Sequence, residues 1–118
     1  MVLLRRGWWL GGNSGFGWDK IYHKHSITNM NLVEKIIKNP NGGELQGTAR
    51  VYRGFTQRFR CDISGRCTEV ERIPLKAVVE FRNDPNMLGQ KGVITAHCTH
   101  GPLECPSWVN NVRNVAPA

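Results

Sequence analysis

A chain of 118 residues with 16 Lys and Arg against 9 Asp and Glu carries a formal charge of +7 and has a pI near 9.7. That length accommodates one domain with one core, and 40% hydrophobic residues make it too apolar for a disordered tail. No run approaches the ~18 continuous apolar residues of a membrane-spanning helix.

The surplus of cations favours polyanionic partners, nucleic acid or an anionic membrane surface. Thirteen glycines and six prolines favour short strands and many turns over long helices.

Residues 1–29 form a Trp- and Gly-rich arm, and residues 30–118 a single small β-rich domain. In the arm, Val2, Leu3 and Leu4 precede Arg5 and Arg6, the reverse of a secretory signal, and no small-residue cleavage site follows. The Gly11-Gly12-Asn13-Ser14-Gly15 run would break the amphipathic helix of a transit peptide. A cytoplasmic protein is the resulting expectation. Trp8 and Trp9 beside the two arginines suit an irregular arm that packs on the domain or on a partner chain; they also suit stacking on bases or a lipid headgroup layer. Between Trp18 and His25 no period is legible.

Residues 30–38 read as a short amphipathic helix capped by Asn29 or Asn31. Leu32, Val33, Ile36 and Ile37 make its stripe, and Glu34, Lys35 and Lys38 its wet side. Residues 39–43, Asn-Pro-Asn-Gly-Gly, stop it.

Residues 44–63 admit two readings. A helix would align Leu45, Ala49, Tyr52, Phe55 and Phe59, but Gly47 and Gly54 would each cost it about 1 kcal/mol. Strands over 46–53 and 55–61, joined or bulged at Gly54, suit Thr48, Val51, Tyr52 and Phe55 better. The alternation then turns Phe55, Gln57, Phe59, Cys61 and Ile63 inward and Thr56, Arg58, Arg60 and Asp62 outward.

Ser64-Gly65 predicts a hairpin turn to a strand over 66–73, with Arg58 and Arg60 facing Glu69 and Glu71 across it. Residues 75–82 give the clearest strand, with Leu75, Ala77, Val79 and Phe81 on one face; Pro74 marks its start and residues 83–86 its end. Residues 85–90 read as a loop or a helical turn, 91–98 as a final strand, and those from Gly101 onward as an irregular tail pinned by Trp108, Val109 and Val112. The fold class is mainly β or α+β: a short helix followed by an antiparallel curled sheet or small barrel, parallel crossovers being excluded by the lack of linking helices.

Chemistry concentrates in residues 96–105, Ala-His-Cys-Thr-His-Gly-Pro-Leu-Glu-Cys. With Cys61 and Cys67 added, three arrangements compete. Cys61, Cys67, Cys98 and Cys105, with His97 or His100 in place of one, would hold a structural zinc, the one cofactor to consider; their gaps of five and six residues exceed the two to four of a zinc knuckle. Disulfides Cys61–Cys67 and Cys98–Cys105 need an oxidising compartment, which nothing in the sequence signals. Reduced cysteines buried as small hydrophobes are the reading adopted.

A Cys98 nucleophile with His97 or His100 as base and Glu104 behind it meets a geometric objection: neighbours on a strand point to opposite faces. No catalytic residue is assigned. A nucleic-acid surface is built instead from Arg50, Tyr52, Arg53, Arg58, Arg60 and Arg66, with Tyr52 the ring left over to stack on a base. The function expected is a basic, non-enzymatic binding module for nucleic acid or a ribonucleoprotein. The alternative is a protein–protein or self-association module using the Trp-rich arm and an exposed β edge.

Overall fold

The computed structural model describes residues 4–12, 14–39, 42–83, 90–102 and 104–117. Within them the chain forms α1 (Gly17–His25), α2 (Met30–Ile37), β1 (Glu44–Gln46), β2 (Ala49–Cys61), β3 (Cys67–Asn83), β4 (Gln90–Cys98) and β5 (Val115–Pro117), with two 3-10 turns at Ser107–Asn110 and Val112–Asn114. The antiparallel sheet runs β1-β2-β3-β4, and β5 pairs with β2 farther along the edge that β1 occupies. The fold is mainly β, a curled antiparallel sheet with two short helices.

β3 dictates the rest. Ile73, Leu75, Ala77 and Val79 are buried on one face, and full burial of each larger side chain contributes about 1.5–3 kcal/mol. Phe81 packs at the margin of the same cluster. The strand does not start at Pro74 but runs through it. A strand residue directs its N–H and C=O to the same side; the Pro74 carbonyl accepts from Thr99 N at 2.9 Å, so the missing N–H faces the place where β4 ends and removes no bond to β2.

The register of β2 against β3 inverts one expectation. Thr56 pairs with Ile73, Gly54 with Leu75 and Tyr52 with Ala77, so the even positions of β2 share the core face. Phe55 and Phe59 stand on the opposite, open face instead of lining the core. The four apolar residues of β3 cannot leave the core, and side-chain period two leaves β2 no freedom once its partner is placed. A bulge between Arg58 and Phe59 gives β3 one extra residue, and beyond it the two strands continue as a ribbon.

α2 covers the core face. Asn29 accepts from Asn31 N at 3.0 Å as its cap; Leu32, Val33 and Ile36 are buried. On its wet side Lys38 meets Glu34, and Lys35 Nζ donates to the carbonyl of Val112 at 2.7 Å. Gly54 lets these layers close: a Cβ there would stand 2.8 Å from the Ala116 carbonyl oxygen and 3.4 Å from Ile36 Cγ1.

The segment before Met30 also enters the core, through Ile21 and Ile27, both fully buried. α1 packs against β4, the outer strand on that side of the sheet. Its first free N–H groups are satisfied by the arm, Trp18 N donating to Arg5 O and Asp19 N to Arg6 O at 2.9 and 2.7 Å, which replaces a side-chain cap. Trp8 and Phe16 exchange backbone hydrogen bonds of 3.1 and 3.0 Å. Gly7 and Gly15 flank that pair at positive φ, where a Cβ would strike the facing backbone at 1.9 Å in each case.

From the other end of the chain, Asn110 ties the α1–α2 linker down. Its Oδ1 accepts from Thr28 N at 2.8 Å, and its Nδ2 donates to Ser26 O at 3.3 Å. The loop expected at 85–90 lies outside the described residues up to Gln90, which opens β4; Pro40 and Asn41 of the helix stop, Leu103 of the Cys/His segment and Asn13 of the arm lie outside them too.

Candidate anion-binding site

The cysteines are not reduced. Cys61 is bonded to Cys67 and Cys98 to Cys105, leaving no free cysteine. The cause is topological: Cys61 and Cys67 are directly paired across the turn, and Cys105 folds back beside the end of β4, its N–H held by the His25 carbonyl at 2.9 Å.

The four cysteines do not fit a shared zinc, because their sulfurs are consumed in pairs. The Cys61–Cys67 row also lies seven positions along the ladder from the Gly54–Leu75 row where Cys98 sits, roughly 23 Å at about 3.3 Å per residue. Among the described residues no cluster of three His, Cys, Asp or Glu side chains could hold a metal. A nucleophilic Cys98 is excluded by the same bond. The imidazole beside it is turned away, with Nδ1 of His97 3.1 Å from the carbonyl of Cys98. His100 is exposed past the strand end.

The six residues expected to form a nucleic-acid surface do not share one face. Tyr52 is in the core, 8% exposed. Arg50 turns its guanidinium onto the Gly43 carbonyl at 3.1 Å. Arg58 and Arg60 follow the even-numbered face past the end of the core, with Arg58 opposite Glu71 and Arg60 opposite Thr68 rather than a second glutamate. Arg66 stands at the hairpin turn, its N–H bound by the Asp62 carboxylate; that carboxylate is held below its ordinary range first by the Ser64 hydroxyl and then by this backbone donor.

Arg53 alone lies on the open face, and there it has neighbours the sequence did not bring together. Arg53 pairs directly with Lys76 on β3, and Lys76 with His97 on β4. Three basic side chains therefore stand in one row across three strands, about 4.8 Å apart from strand to strand. Like charges directly opposed on a sheet are destabilising, so the Arg53–Lys76 pair costs the fold something unless an anion offsets it.

Next to it, Phe55 lies half-buried with the Arg72 guanidinium 4.5 Å from its ring centroid, and Phe59 is 42% exposed. Glu69, paired with Phe59, is the acidic residue on this side of the stretch, and its charge is spent on Arg72 and Gln57, each at 2.8 Å. Those two contacts, Arg72 first, hold its carboxyl below the usual range.

At the β4 end the row enters a cavity of about 410 Å³ against α1, lined among others by Lys20, Lys24, His25, Thr95, His97 and Thr99. His25 and His97 stack, ring centroids 5.1 Å apart and 29° from parallel. Burial is the main reason that His97 titrates below its ordinary range; Lys76, Lys20 and Lys24 push the same way, against the Cys98 carbonyl. Lys20 is lowered by burial first, then by Lys24 and Lys91. A carbonyl only accepts, so Nδ1 of His97 carries the proton, and Nε2 is a donor only in the imidazolium.

A lysine, a histidine and a strand edge separated by dozens of residues leave no spacing motif, so only the sheet register exposes this cluster. No protein-family model, curated protein or solved structure matches the chain.

Proposed function

We propose that this protein is a non-enzymatic binding module for a phosphate-bearing polymer, single-stranded nucleic acid, which lies across the open face of the sheet. The observation that carries this reading is the row Arg53–Lys76–His97 next to two outward phenylalanines. Strand-backbone phosphates need cations at close spacing, and unstacked bases need ring faces. The inversion of β2 supports it, since Phe55 and Phe59 are the rings on the ligand side, with Tyr52 in the core. The net charge of +7 adds long-range attraction.

Fluorescence anisotropy with a single-stranded oligonucleotide at rising salt tests it. Affinity falls as a power of salt concentration, with a slope of about −0.7 per phosphate neutralised. Arg53→Ser with Lys76→Ser flattens that slope by one to two contacts, and Phe59→Ala weakens binding by about 1–3 kcal/mol. Binding that is absent, or that ignores salt and the Arg53/Lys76 pair, overturns the reading.

A further inference from the structure

We infer that the cavity between α1 and β4 is a receptor for a phosphomonoester dianion, the end phosphate of a strand or of a free nucleotide-sized molecule. The inference deepens the proposed function, because the cavity is where the cationic row of the open face ends.

Four features of the wall carry it. Among the described residues that line the cavity there is no Asp or Glu, whereas Lys20 and Lys24 are both present. His97 also lines it and gains Nε2 as a further donor once protonated, its Nδ1 being engaged by the Cys98 carbonyl. The stacked His25 ring fixes the plane of His97 from α1.

Thr95, also in the wall, keeps Oγ1 screened from solvent with no hydrogen-bond partner among the described atoms. A buried hydroxyl is ordinarily satisfied, so this donor stands ready for an anion.

A tetrahedral dianion matches such a wall better than a carboxylate. It offers three strong acceptor oxygens at a charge near −2, enough for two ammonium groups, an imidazolium and a hydroxyl. A volume of about 410 Å³ falls in the lower part of the ~300–1,000 Å³ range of small-molecule pockets. It therefore has room for a sugar or base beyond the phosphate. An internal phosphodiester, with a single charge, matches two ammonium groups and an imidazolium less well than a terminal group does.

Protonation of His97 couples to occupancy. The groups around it are Lys20, Lys24 and His25 from α1 and Lys76 from β3, with the carbonyl of Cys98 on its own strand. The three lysines oppose its charge in the free protein, and a bound dianion reverses the balance. Sulfate, whose charge stays constant through this range, thus binds more tightly as pH falls from about 7.5 toward 5.5.

The experiment compares a 5′-phosphorylated with a 5′-hydroxyl oligonucleotide of one sequence, follows the His97 ring by NMR on addition of inorganic phosphate, and titrates sulfate at the two pH values. The expected result is about tenfold or more tighter binding of the phosphorylated strand, the worth of one or two charge-assisted hydrogen bonds. Lys20→Gln and, separately, Thr95→Val abolish that preference while Arg53→Ser weakens both strands alike.

Equal binding of the two strands, with no His97 response to phosphate, overturns the inference and leaves the open-face reading intact. A His97 response to phosphate without binding of either strand overturns the open-face reading instead and makes a small free phosphate ester the ligand. Sulfate affinity that is indifferent to pH removes His97 from the receptor.

Discussion

Thr56 shows how much one atom can matter. Its side chain is fully buried on the core face of β2, and Oγ1 has no hydrogen-bond partner among the described atoms. Valine keeps the shape and removes the unsatisfied hydroxyl, so Thr56→Val should stabilise the fold by about 1 kcal/mol, roughly 4 °C in a thermal melt of a chain this size.

His97 is the second residue with a measurable signature. Its pKa is lower in the folded protein than the ordinary 6.5, so between the two values the unfolded chain binds more protons. The stability it contributes is complete above about 6.5 and is lost as pH falls through the folded value. Denaturant midpoints at pH 7.5 and 5.0 should therefore fall more for the wild type than for His97→Gln, and added sulfate should restore part of the loss at pH 5.0.

At the scale of elements, what the sequence exposes is the strongly patterned part. Leu75, Ala77, Val79 and Phe81 announce a strand, and the hairpin turn at Ser64-Gly65 and the helix capped by Asn29 follow from local chemistry. The face of β2 was not legible, because Phe55 and Phe59 alternate as well as Tyr52, Gly54 and Thr56 do, and only the partner strand decides between them. In β4 a bulge between Val78 and Val79 of the pairing partner leaves Ile94 unpaired and lets Val93, Ala96 and Cys98 all face inward, a spacing that no period of two displays. α1 escaped notice because its start is capped by carbonyls of the arm and its core contact rests on Ile21 alone among aliphatic side chains. The cationic cluster was hidden for a related reason, being assembled from α1, β2, β3 and β4.

The two disulfides differ by element as well. Cys61 and Cys67 are exposed at the ribbon tip, while Cys98 and Cys105 are buried. Closing so short a loop contributes about 2 kcal/mol in the chain-entropy account, and at the ribbon tip its loss stays local. Cys61→Ser with Cys67→Ser should speed amide exchange over residues 58–70 and leave β4 and the buried part of β3 protected. Loss of protection across the whole sheet would show that the tip bridge supports the core.

For the molecule as a whole, the radius of gyration is 15.2 Å and the extents are 57 × 31 × 21 Å, against about 13.5 Å expected of a compact chain of this length. The excess is the β2–β3 ribbon, which projects past the end of the core. No helix among the described residues is long and apolar enough to cross a membrane. Paired cysteines persist in oxidising surroundings. A thiol titration of protein purified without reductant and then denatured should read zero free thiols for the structure described, and four if the chain is held reduced in its source compartment.

The projecting ribbon has one more consequence. Past the Thr56–Ile73 row its side chains are exposed or half-buried, so its length is free to change without disturbing the interior. Because successive residues swap sides, however, trimming a single residue from each strand would turn Arg60 and Cys61 over relative to everything nearer the body. The ribbon can be shortened or lengthened only in steps of two residues per strand if its tip is to keep the same side toward whatever it meets.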